Sequence, residues 1–140
     1  SAVSPGQMLS LSAVARNQGG GAAGDFPLNF YLSADRAFDR TEDPSVGTCW
    51  LNGVNSGISR SCTTTEAQVP SDIAAGQALP AEFYWVACAD PIGQVPDVDD
   101  SNDCTIATSP VMVPEPAAIA LGLMALFSVL VAARLRSAVD

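Results

Sequence analysis

Hydrophobic and polar residues alternate along much of the first hundred residues, the pattern of strands with one buried face. In residues 7–16, Leu and Ala alternate with mostly polar residues, and 26–33 (FPLNFYLS) places Phe or Leu at every second position. Residues 82–90 (EFYWVACAD) are rich in aromatic residues that favour strands. Further strands are predicted at 46–54, at 57–63 and from Cys104 to about Val113.

The number and spacing of these strands indicate an all-β fold. Six or seven short strands with turn signals between them favour an immunoglobulin-like β-sandwich of about seven strands over residues 1–113. A barrel is the alternative. We expect 46–54 and 57–63 to form a hairpin that turns near 55–57. Ser1 begins directly in domain sequence, so we interpret it as a mature or truncated start.

An uncharged apolar segment follows, from Ala117 to Ala133. As a helix its seventeen residues would rise roughly 26 Å, against a hydrocarbon core of roughly 30 Å. We expect one transmembrane helix over 117–136, after a linker at 114–116 and before a tail at 137–140. The alternative is a buried core helix. Small residues near one helical face would allow close helix packing: Ala118, Gly122 and Ala125.

Basic residues after the apolar segment predict its orientation. Arg134 and Arg136 follow the segment, and the positive-inside rule places such residues in the cytoplasm. The preceding domain then lies in the periplasm or outside the cell. The tail resembles the PEP-CTERM sorting signal of Gram-negative bacteria, through Pro114-Glu115-Pro116, the apolar segment and the two arginines. That resemblance implies an exported protein held at the inner membrane, with an exosortase cleaving near the Pro-Glu-Pro.

Composition narrows the function classes. Residues 1–115 contain 14 of the 15 acidic residues and four of the six arginines, which gives this part a formal charge of −10. Such a charge argues against nucleic acid as a partner and is compatible with a divalent cation or a basic protein. The chain has no His and no Lys, which removes imidazole and Schiff-base chemistry.

Four cysteines precede the apolar segment: Cys49, Cys62, Cys88 and Cys104. In an exported chain an even number of cysteines predicts disulfides, and four allow three connectivities. The first two are symmetric about the predicted turn near 55–57, and the last two about the loop centred at 96. Opposed hairpin residues lie within disulfide reach, which favours Cys49–Cys62 and Cys88–Cys104. Metal binding is the alternative, but no C-x-x-C spacing supports it.

Carboxylates are concentrated in two predicted loops. Asp97, Asp99, Ser101 and Asp103 have the alternating spacing of a calcium-binding loop, without the glycine and terminal Glu of an EF-hand. Asp35, Asp39 and Asp43 form a second candidate calcium group. The alternative for both is a solvated acidic loop whose side chains cap turns.

Catalysis finds little support in the residues. Paired carboxylates are the machinery of glycosidases, but a domain this small leaves little room for a cleft. Ser59 lies in GISRS, which lacks the final glycine of a nucleophile elbow. We therefore expect a protein that is not an enzyme.

Residues 4–113 resemble the CARDB domain, a cell-adhesion-related domain found in bacteria. The matching stretches are Ser4-Pro5-Gly6, Asn17 with Gly19, Phe30–Ser33 with Asp35, Asp43 with Val46-Gly47, Val69-Pro70, Gly76, Ala87, Ala89-Asp90, and Val95 leading to Asp99–Asn102. The family's usual Asn-Asn is Asn102-Asp103 here. The resemblance implies a seven-stranded sandwich with a role in envelope display, adhesion or assembly.

These patterns lead to one expected function and two alternatives. We expect a membrane-anchored envelope protein whose sandwich binds other proteins or surface polymers. The first alternative is an accessory structural subunit of a large photosynthetic or respiratory membrane complex, with its helix packed on neighbouring helices. The second is a calcium-dependent lectin-like module.

Overall fold

The computed structural model describes residues 1–97, 99–116 and, for the backbone, 130–135. A short 3-10 turn covers Asp100–Asn102. The strands are β1 (Met8–Asn17), β2 (Phe26–Ser33), β3 (Ser45–Leu51), β4 (Ser59–Gln68), β5 (Ala81–Ala89), β6 (Cys104–Ile106), β7 (Val111–Val113) and β8 (Leu130–Leu135).

The strands form two sheets, which confirms the all-β prediction. One sheet has the order β4-β1-β8 and the other the order β3-β2-β5-β6. β7 pairs with the start of β5, on the side where β6 pairs with its end. The predicted last strand is therefore real but interrupted at 107–110, where Pro110 lacks the N–H that a ladder needs.

The alternating residues of the sequence form the core between the sheets. Successive residues of a strand point to opposite faces, so every second residue forms a row that points into the core and is buried. Phe26, Leu28, Phe30 and Leu32 are at most 1% exposed, and Phe83 and Trp85 on the neighbouring strand β5 join them in the same core cluster. Burying one such side chain contributes roughly 1.5–3 kcal/mol. The inward rows of β1 and β2 are Leu9, Leu11, Ala13, Ala15, Phe26, Leu28, Phe30 and Leu32.

The predicted hairpin of 46–54 with 57–63 is wrong. β3 pairs with β2, whereas β4 pairs with β1 in the other sheet, so the chain crosses between sheets at 52–58. Leu51 and Val54 explain the crossing, because both side chains are buried in the core there. The backbone of Val54 also forms hydrogen bonds with the backbone of Ala23. Cys49 and Cys62 nevertheless form the predicted disulfide, and it joins the two sheets.

The second predicted disulfide lies on the outer face of the larger sheet. Cys88 and Cys104 are direct partners in the antiparallel pairing of β5 and β6, as the hairpin argument required. This face is covered by loop 34–44, which folds back so that the Phe38 ring lies 4.7 Å from the Tyr31 ring, centroid to centroid. Tyr31, Val86 and Cys88 are buried there in a second, smaller core.

The predicted transmembrane helix is not seen where the tail is described. Leu130–Leu135 is a strand, β8, which pairs in parallel with β1 from Ser12 to Asn17. Short apolar segments suit strand or helix, and the edge of β1 offers hydrogen-bonding groups that a strand satisfies. No helix long and apolar enough to cross a membrane occurs among residues 1–97, 99–116 and 130–135. Residues 117–129 and 136–140, with Ala118, Gly122, Ala125 and Arg136, lie outside the described residues.

Candidate functional site

The two predicted acidic loops meet on the outer side of the larger sheet. Loop 34–44 crosses that face, and its Arg40 Nη1 donates a hydrogen bond to the Pro91 carbonyl oxygen at 2.7 Å. This contact joins residues 51 positions apart and brings loop 34–44 against loop 90–103. A cleft of about 280 Å³ lies between the loops, lined by Phe38, Arg40, Asp90, Asp100 and Asp103 among others. We call loops 34–44 and 90–103 together the acidic surface.

Asp90 organises the start of the second loop. It has a positive φ of 47°, which a short polar side chain tolerates better than most. Its carboxylate is buried and accepts from the Gln94 N–H at 2.8 Å and from the Val95 N–H at 2.6 Å. The Asp90 N–H donates to the Pro27 carbonyl oxygen. Its role in the structure is to hold the loop, and the resemblance to CARDB had singled out this residue.

Asp97, Asp99 and Ser101 use their oxygens within the loop. Asp97 Oδ1 accepts from the Asp99 N–H at 3.1 Å, and Asp99 Oδ1 accepts from the Ser101 N–H at 3.2 Å and from its hydroxyl. These are Asx turns, and Asp99 caps the 3-10 turn. No group of three or more acidic or cysteine side chains is arranged to hold a metal ion in the described part of the chain. Calcium binding by Asp97, Asp99, Ser101 and Asp103 stays a prediction.

Asp103 has the most perturbed carboxyl group of this loop. Its desolvation, then the charges of Asp97 and Asp100, a hydrogen bond with Asp97 and the charge of Asp90 raise the pKa of Asp103 to about 7. One carboxyl oxygen of Asp103 and the amide oxygen of Asn102 are buried without a hydrogen-bond partner. Desolvation and the neighbouring negative charges therefore favour the protonated carboxyl of Asp103 up to about neutral pH.

The first loop uses its carboxylates in the same way. Asp35 Oδ1 accepts from the Ala37 N–H, and Asp43 Oδ2 accepts from the Asp39 N–H at 2.9 Å. Two hydrogen bonds from Thr41 hold the pKa of Asp39 below its usual range, whereas desolvation raises the pKa of Asp43. Each of these side chains is engaged in a local turn. Calcium binding by Asp35, Asp39 and Asp43 also stays a prediction.

An exposed tryptophan lies on the same sheet, and the sequence reasoning missed it. Trp50 is 57% exposed on the edge strand β3, and its pairing partner on β2 is Pro27. Two residues earlier on the same face of β3, Thr48 donates its hydroxyl to Asn29 Oδ1 at 3.1 Å. The signal was present in the alternation of β3, because buried Cys49 and Leu51 flank Trp50 and direct it outward.

The remaining candidate residues are structural in position. Ser59 is the first residue of β4 and pairs with Arg16, so it does not occupy the strand-to-helix turn of a nucleophile elbow. Pro114-Glu115-Pro116 follows β7 directly, and Glu115 and Pro116 are exposed. Their role as a sorting motif stays a prediction.

Comparisons with known proteins leave the family open. No protein-family model, no curated protein and no solved structure matches the chain.

Proposed function

We propose that the chain is a non-enzymatic, membrane-anchored protein of the bacterial envelope whose β-sandwich binds a surface polymer or another envelope protein. The observation that carries this proposal is Trp50, a large aromatic side chain left 57% exposed on an edge strand of a disulfide-bonded sandwich. Tryptophan is enriched at the centre of binding surfaces, because it buries a large area at a small entropic cost.

The two disulfides support an exported location. Cytosolic thiols are kept reduced, so a small domain with both cysteine pairs oxidised fits the periplasm or the cell surface. The resemblances to CARDB and to the PEP-CTERM signal point to the same place. In this proposal the segment 117–136 anchors the protein, and the Pro-Glu-Pro at 114–116 separates anchor and sandwich.

The surface next to Trp50 favours a polymer with hydroxyl groups. Thr48, two residues before Trp50 on β3, forms a hydrogen bond with Asn29, and these polar groups are suited to hydroxyl partners. The negative charge of the chain, −9 overall, disfavours anionic polymers and membrane surfaces. We therefore expect a neutral polysaccharide or a basic protein partner rather than a nucleic acid.

The proposal is tested by location and by binding. The full chain should fractionate with the inner membrane, and protease added to spheroplasts should remove the sandwich but spare the cytoplasmic end. Detergent-solubilised protein should co-sediment with an insoluble neutral glucan. Loss of a central tryptophan typically costs at least about 2 kcal/mol, so Trp50→Ala should weaken this binding about thirtyfold.

A matched control uses another exposed apolar side chain. Met8 is 55% exposed but lies on β1, in the smaller sheet, so Met8→Ala should leave binding unchanged. Equal binding by the Trp50→Ala and parent proteins would contradict the binding surface. Native mass measurement after mild detergent extraction tests the alternative of an accessory subunit. If the parent protein is part of a large complex and Gly122→Leu releases it from that complex, the accessory-subunit function replaces this proposal.

A further inference from the structure

The C-terminal strand fills a defined place in the smaller sheet. β1 pairs with β4 along one edge, and β8 pairs with the other edge from Ser12↔Leu130 to Asn17↔Leu135. β8 also lies beside β5, β6 and the 3-10 turn of the opposite sheet. The strand thus closes the sandwich on the side of β1 that β4 leaves open. An open edge there would present unpaired backbone groups to solvent.

The same residues are needed by the proposed membrane anchor. If 130–133 pair with β1, the apolar segment retains 117–129, which as a helix rises roughly 20 Å. That length falls well short of a hydrocarbon core of roughly 30 Å. A strand on β1 and a transmembrane helix are therefore mutually exclusive states of one tail.

We infer that the outer edge of β1 is an internal binding site for the apolar tail, which it holds as a strand in water and releases when the tail enters a bilayer. This inference rests on the proposed membrane anchor. The site would shield an aggregation-prone apolar segment during export, when no lipid covers it.

The connection between β7 and β8 is long enough for both states of the tail. β7 ends at Val113 and β8 begins at Leu130, so sixteen residues connect them and reach at most about 55 Å when extended. This connection can cross the sandwich to β1 or lead away from it into a membrane. Release breaks the pairing of β8 with β1 and its contacts with β5, β6 and the 3-10 turn, whereas β1 remains paired with β4 and keeps its core residues buried against the opposite sheet.

Cysteine cross-linking tests the inference in the full chain. Val14 and Ala132 are register partners, and Val14 lies on the half-buried outer row of β1. A Val14→Cys, Ala132→Cys variant should form a disulfide in buffer under a mild oxidant, detected by mass spectrometry of linked peptides. The control is Val14→Cys with Ala133→Cys, because a shift of one residue turns a strand side chain to the other face.

Lipid separates the outcomes. Phosphatidylcholine vesicles present during refolding should reduce the cross-link at least about tenfold, equivalent to about 1.4 kcal/mol in favour of insertion. Equal cross-linking with and without vesicles would overturn the release. No cross-link in buffer, or equal yields from the control pair, would overturn the strand site. Either failure leaves the anchor untouched, because co-flotation of the parent with vesicles measures insertion independently.

Discussion

Cys49 on β3 and Cys62 on β4 form a disulfide between edge strands of opposite sheets, with their Cα atoms 6.0 Å apart. The two strands are consecutive in sequence but share no hydrogen-bonded ladder. Their close approach continues at Gly47, where an added Cβ would lie 3.0 Å from the Ala67 Cβ and 3.1 Å from its Cα. At this edge of the sandwich a disulfide therefore joins the two sheets, and a glycine allows their close approach.

Gly47→Ala should destabilise the fold. The new methyl group meets the backbone of buried Ala67, so the two edges must separate, and overpacking of this kind typically costs about 1–3 kcal/mol. The measurement is urea denaturation of the oxidised protein. Gly24→Ala is the matched control, because nothing lies within 4 Å of its added Cβ. An equal stability of the two variants would refute the close approach.

The sequence predicted the disulfides better than the strand pairing. Cys88 and Cys104 are direct partners in a real hairpin, so symmetry about the loop was sound reasoning there. Cys49 and Cys62 are symmetric about a turn that crosses between sheets, and the correct pair followed from a wrong hairpin. Alternation reports which residues face the core, but it does not report which sheet a strand joins.

The acidic surface shows the same limit. The sequence located both acidic loops, yet it treated them as separate groups, because nothing local indicates that loop 34–44 folds back to Pro91. The contact depends on the Arg40 guanidinium and on Phe38 packing against Tyr31. Long-range contacts of this kind leave no periodic signal. Trp50 did leave one, in the alternation of β3.

Asn17→Ala should strongly destabilise the turn after β1. Asn17 is completely buried, and its Nδ2 donates to the carbonyl oxygens of Gly21 at 2.7 Å and Val54 at 2.8 Å. Its Oδ1 accepts from the Gly19 N–H at 2.8 Å. Three hydrogen bonds at a net of about 1 kcal/mol each predict a loss of about 3 kcal/mol. Thermal and urea unfolding measure it.

The control for this turn is a solvent-exposed asparagine. Asn52→Ala, in the crossing between the sheets, should change the unfolding free energy by no more than about 0.5 kcal/mol. If both asparagine variants unfold like the parent, the buried side chain does not hold the turn.

Calcium binding by the acidic surface is tested by thermal unfolding. A loop that binds Ca²⁺ should gain about 2.7 kcal/mol at a hundredfold excess over the dissociation constant, and Asp99→Asn should remove the gain. Asp99 is the informative position, because its carboxylate already accepts from Ser101 and must exchange those donors for the ion. Asp25→Asn, on an exposed residue outside both loops, should retain the response. Identical melting in chelator and in millimolar calcium would leave the carboxylates as turn caps.

The pH dependence of stability should identify Asp103. Its pKa is raised to about 7 from an ordinary value of 3.8, chiefly by desolvation and then by Asp97 and Asp100. The folded state therefore favours the protonated carboxyl. The resulting stabilisation is fully present below about pH 4 and is lost as the pH rises through about 7. Asn resembles the protonated acid, so Asp103→Asn should gain stability relative to the parent as the pH is raised from 5 to 8.

The measured quantity is the difference in unfolding free energy between variant and parent at each pH, which cancels the other titrating groups. Asp39→Asn is a control of opposite sign, because hydrogen bonds from Thr41 lower the pKa of Asp39. The stabilisation from Asp39 is present above pH 3.8 and is lost as the pH falls through its lower folded pKa, so its difference should stay constant between pH 5 and 8. A constant difference for Asp103→Asn over the same range would show that its carboxyl is ionised throughout, which would contradict the raised pKa of Asp103.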